Sequence, residues 1–135
     1  MCVALLGCNA ERDEARALLD RVEAVDISIP PAKRMPLLTA LESLRLGTDE
    51  LAQLQQLCAG AHRALIEAEV AQAKARHALD TAEADQDPAT RLKNAKSIAV
   101  EIERSTQKLE QAQNAFPECE RQTRSLALRF PSRAP

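Results

Sequence analysis

The stretch Leu51-Ala-Gln-Leu54-Gln-Gln-Leu-Cys58-Ala-Gly-Ala61-His-Arg-Ala-Leu65-Ile-Glu-Ala68 decides the fold. Its numbered positions follow one another at alternating intervals of three and four residues, and the pattern continues through Gln72, Ala75, Leu79 and Ala82. A repeat averaging 3.5 residues keeps one stripe of a helix turned toward a partner helix. Thr48 suits the N-cap ahead of it, and Asp49 and Glu50 place negative charge in the first turn, where the helix dipole favours it. The chain from Thr48 to Ala84 therefore reads as one helix, about 54 Å long at 1.5 Å per residue.

Working outward, Ala84-Asp-Gln-Asp-Pro88 reads as a turn, with Asp87 as N-cap and Pro88 at the favoured first helical position. The return helix repeats the seam through Ala95, Ile98, Ile102, Ser105, Leu109, Ala112, Phe116, Cys119, Thr123 and Leu126. Pro117 is expected to kink it or to start a fresh helix after Asn114. The two arms predict an antiparallel hairpin over about residues 48–128, with alanines allowing a close approach of ~8 Å. Upstream, Ala15, Leu18, Leu19, Val22 and Val25 share a face of a first helix expected from about Ala10 to Val25. Pro30 and Pro31 disfavour helix at the residues before them, which predicts an extended elbow. A short second helix is expected near Pro36 to Leu46, with Leu37, Leu38, Leu41 and Leu44 inward and Gly47 ending it. The fold class is all-α: a small helical bundle with a long antiparallel, coiled-coil-like hairpin. The first two helices are expected to pack on its proximal end and to leave an alanine-rich tip protruding. Residues 8–130 form the expected domain, with 131–135 as a tail.

Composition narrows the function classes. The chain has 135 residues, is 45% hydrophobic and 28% charged, and carries a formal charge of −2. That is one domain's length of chain. About 25 of the hydrophobic residues are alanine; Trp and Tyr are absent and Phe116 and Phe130 are the only phenylalanines. A β-sandwich and an aromatic nucleic-acid platform both lean on residues this chain lacks. Three glycines give no phosphate loop or dinucleotide fingerprint.

The N-terminal run Leu5-Leu6-Gly7-Cys8 resembles the lipobox of bacterial lipoproteins, in which a small residue precedes a cysteine that is diacylated and becomes the mature N-terminus. The resemblance implies that residues 1–7 are a signal segment, that Cys8 is the lipidation site, and that the membrane is a partner through the lipid anchor. With two or more chains, at roughly 0.8 kcal/mol per buried CH₂, such an anchor is stable. Asn9 after the cysteine implies outer-membrane sorting, facing the periplasm. Only Cys2 to Leu6 precede Gly7 and the first base is Arg12, short of the basic region and apolar run of about 7–15 residues in a full signal. On this reading the start codon lies further upstream.

Lipidation would leave Cys58 and Cys119, one on each arm. With the turn centred near residue 86, Cys58 is expected opposite about residue 114, so that Cys119 misses by ~5 residues. A longer turn or the irregularity at Pro117 would close that gap. A bridge would close a loop worth roughly 4 kcal/mol on the chain-entropy model, and an oxidising envelope permits one where a cytosol does not. Otherwise the two are buried thiols acting as small hydrophobes. Cys58 and His62 stand at metal-ligand spacing, but His77 lies too far along the same helix to complete a site, so no metal or cofactor is expected. The carboxylates mix with Lys and Arg on solvated faces, and no catalytic set is expected. After Glu120 the chain has no acid while Arg121, Arg124, Arg129 and Arg133 accumulate, a candidate contact for an anionic surface.

These readings combine into a non-enzymatic envelope lipoprotein, tethered through Cys8, that serves a protein partner in the envelope as a helical adaptor, scaffold or pilotin-like escort. No nucleic acid and no small-molecule substrate are expected. The alternative is a cytosolic helical-hairpin module that binds by coiled-coil pairing.

Overall fold

The computed structural model describes residues 4–84 and 87–132. Among these residues there are four α-helices and no strand: α1 (Ala4–Ala24), α2 (Pro31–Glu42), α3 (Asp49–Ala84) and α4 (Pro88–Arg129). None is long and apolar enough to cross a membrane.

The two long helices form the hairpin, and their ends follow the local chemistry. At the start of α3 the Thr48 hydroxyl accepts from the Leu51 N–H at 3.4 Å, with Asp49 and Glu50 in the first turn. At the start of α4 the Asp87 carboxylate accepts from the Thr90 N–H at 3.2 Å, and Pro88 takes the first helical position. Pro117 neither ends nor restarts α4, which runs unbroken for 42 residues. The lost rung at one proline is outweighed by packing along both flanks of the helix.

The antiparallel register is set by cross-arm contacts. The Ser105 hydroxyl donates to the Ala68 carbonyl at 3.0 Å, Lys108 pairs with Glu67 at 2.8 Å, and Arg129 pairs with Glu50 at the far end. Cys58 and Cys119 stand at disulfide distance, with Cα atoms 5.2 Å apart. The expected five-residue miss is corrected by a slip in register: residues 58–68 of α3 face residues 105–119 of α4. Pro117 lies inside that longer stretch.

Two helix boundaries differ from the sequence expectation. α1 begins at Ala4, so the backbone of Leu5, Leu6, Gly7 and Cys8 is helical. α2 lies at Pro31–Glu42 and not at Pro36–Leu46. Pro31, with Pro30 extended before it, is the residue preset for the first turn, and Pro36 is absorbed within the helix. Ser43 caps the end of α2, its N–H bonding the Thr39 carbonyl at 3.0 Å.

The core lies at the proximal end of the hairpin, as expected. Leu18 of α1, Leu38 and Leu41 of α2, Leu51 and Cys58 of α3 and Leu126 of α4 are buried together. The connection after α2 is pinned to α1 where the Gly47 N–H donates to the Glu14 carboxylate at 2.7 Å. An added Cβ at Gly47 would come within 3.3 Å of that carboxylate. Beyond the core the arms meet through Ala68, Ala71, Ala75 and Ala112. Few large side chains are available there, and Leu79, Leu92 and Val100 remain exposed.

Candidate functional site: a groove where α1 ends

On α4 the two columns of the sequence seam take different roles. Ser105, Ala112, Cys119 and Leu126, seven residues apart, turn toward the interior, and the last three are buried. The adjoining column does not: Phe116 and Thr123 are half-buried, while Leu109 is 41% exposed and Ile102 51%. Ala95 is exposed as well. Along this part of α4 only α3 packs against it, α1 reaching no further than the C-terminal part of the helix, so the expected inward placement of Ile102, Leu109 and Ala95 is corrected.

Beside this open column lies a groove of about 520 Å³, formed by the end of α1, the residues just after it, α3 and α4. Val22, Val25, Leu65, Leu109 and Phe116 give it an apolar lining. Glu23, Asp26 and Glu120 add carboxylates, and no Lys or Arg lines it. The Asp26 carboxyl is held below its ordinary range, first by the Ser28 N–H that donates to it at 2.8 Å.

His62 also lines the groove, 5% exposed, with its ring edge-on to Phe116 and centroids 4.9 Å apart. Burial, and then the charge of Arg34, push its pKa down to about 4, so the imidazole is neutral near pH 7. Arg34 is itself buried. Its Nε donates to the Ile29 carbonyl at 2.6 Å and its Nη2 pairs with Glu69, which ties the elbow before α2 to α3. Reading the sequence missed this residue, because nothing in the Pro-Pro-Ala-Lys-Arg run marks one base for burial.

The other candidate residues are placed as follows. Cys58 is fully buried and Cys119 is 3% exposed. Their Cα atoms are 5.2 Å apart, a distance suited to a disulfide. Among the described residues no group of three or more His, Cys, Asp or Glu side chains is arranged to hold a metal ion. Of the C-terminal arginines, Arg121 is held by Glu118, whose pKa is pulled down to about 2 by hydrogen bonds from Arg121 first and Gln122 second. Arg129 is held by Glu50 and lies 5.4 Å over the Phe130 ring. Arg124 donates to the Glu120 carbonyl at 3.4 Å. All three of these arginines are exposed on α4, two of them ion-paired. Arg133 lies outside the described residues, as do residues 1–3 of the signal segment and the Cys8 side chain.

No known protein family, curated protein or solved structure matches the chain.

Proposed function

We propose that the chain is a small, non-enzymatic helical adaptor of the bacterial envelope, tethered to the outer membrane through acylated Cys8 and presenting its hairpin to another envelope component, in the manner of a scaffold or pilotin. The observation that carries this reading is the juxtaposition of Cys58 and Cys119 at the root of the hairpin, with Cα atoms 5.2 Å apart. A buried pair at that distance is suited to oxidation, and structural disulfides belong to oxidising compartments such as the periplasm. The lipobox-like Leu5-Leu6-Gly7-Cys8 agrees with the same compartment.

The open column of α4 favours the second reading, a cytosolic hairpin that pairs with another helix, since Ile102 and Leu109 stand ready for one. Palmitate labelling separates the two. In its native host, with the gene expressed in its genomic context, radiolabelled palmitate is expected to enter the wild-type protein and not the Cys8→Ser variant. Wild-type protein that stays unlabelled overturns the tethered reading.

A further inference from the structure

α1 lies antiparallel along α4. Arg16 donates to the Phe130 carbonyl at 3.2 Å at one end, while Val22 and Val25 reach the level of Cys119 and Phe116 at the other. The helix covers the open column of α4 as far as that point and ends at Ala24. Past it the same column continues uncovered through Leu109 and Ile102. The groove opens at this junction, with an apolar floor whose histidine carries no charge near pH 7 and a lining that holds three carboxylates and no Lys or Arg.

We propose that this groove docks an amphipathic helix of a partner protein, which continues the line of α1, sets a large apolar side chain against Phe116 and Leu109, and places lysines or arginines by Glu23, Asp26 and Glu120. A helix laid in a groove is read through apolar anchors on one of its faces. The half-covered column supplies the apolar half of that recognition. The carboxylates supply the charge half, which governs encounter rate and salt dependence more than raw affinity. This inference goes beyond the tethered-adaptor reading and does not depend on Cys8, because the groove has the same chemistry in either compartment.

The test uses the full 135-residue chain with its thiols oxidised. The probe is a dye-labelled, acetylated and amidated helical peptide with Leu and Phe at i, i+3, i+4 and i+7 flanked by Lys, beside a copy carrying Glu in place of each Lys. Fluorescence anisotropy is expected to show binding of the Lys peptide that weakens with salt, with the Glu peptide about tenfold weaker or worse. Amide shifts in heteronuclear spectra are expected at Val25, Leu109 and Phe116. Leu109→Lys and Glu120→Lys alter exposed positions, so each should fold by circular dichroism and weaken the Lys peptide about tenfold. Equal binding of the two peptides, or shifts that bypass Leu109 and Phe116, overturns the proposal. So does a groove that responds to dodecyltrimethylammonium and not to the peptide, which would mark it as a small-amphiphile site. Self-association of the chain that buries Leu109 in sedimentation experiments overturns it too.

Discussion

Arg34 and His62 lie close enough that the guanidinium charge adds to burial in disfavouring the imidazolium. An imidazole whose folded pKa lies below its unfolded value contributes stability above pH 6.5, and that contribution is lost as the pH falls toward about 4. The expected loss over this window is about 2–3 kcal/mol. Urea melts of the wild type between pH 7 and pH 4 should show it, and His62→Gln should flatten that part of the profile. Arg34 makes a second case. Its partner Glu69 is about a third exposed, so Arg34→Met leaves a carboxylate that regains water. Glu69→Gln leaves a guanidinium buried with no countercharge. The latter is expected to cost about 3 kcal/mol and the former less. Equal losses in denaturant melts would contradict this account of the pair.

At the scale of the elements, α2 depends on a side chain from another helix. The Gln55 amide donates to the Leu41 carbonyl at 2.8 Å and the Leu44 carbonyl at 2.9 Å, and lies 3.3 Å from that of Glu42. Leu41 and Glu42 lie in the last turn of α2, whose carbonyls lack the N–H of a following turn, and Leu44 lies just past it. Gln55→Ala should lower stability by about 1–2 kcal/mol, with faster amide exchange confined to α2 and the connection after it. Much of the architecture was legible in the sequence: both hairpin arms and the Thr48 and Asp87 caps follow from local chemistry, while residues 85 and 86 of the expected turn lie outside the described residues. What was not legible is non-local. The heptad stripe on α4 marks two columns, and which one is covered depends on how many helices surround it; one partner covers Ala112 and Cys119 and leaves Leu109 open. The shift of α2 was ambiguous for another reason, since Pro31 and Pro36 are both acceptable first-turn residues and only packing of Leu38 and Leu41 chooses between them. The groove itself needs the end of α1 beside α4, which no spacing within either segment encodes.

Across the whole molecule the large apolar side chains gather at the proximal end, and the tip is held mainly by alanine contacts. Hydrogen exchange should therefore be fastest near the turn and slowest around Leu54, Cys58 and Leu126. The sulfurs of Cys58 and Cys119 join arms 61 residues apart in sequence. Reduction should lower the urea midpoint by an amount corresponding to roughly 4 kcal/mol on the chain-entropy model. The most direct test of the envelope reading is intact mass spectrometry on protein from its native host, before and after reduction with thiol alkylation. The expected result is a mature chain that starts at Cys8 with added acyl mass, and alkylation of Cys58 and Cys119 only after reduction. A chain that retains Met1 with all four thiols free would contradict it.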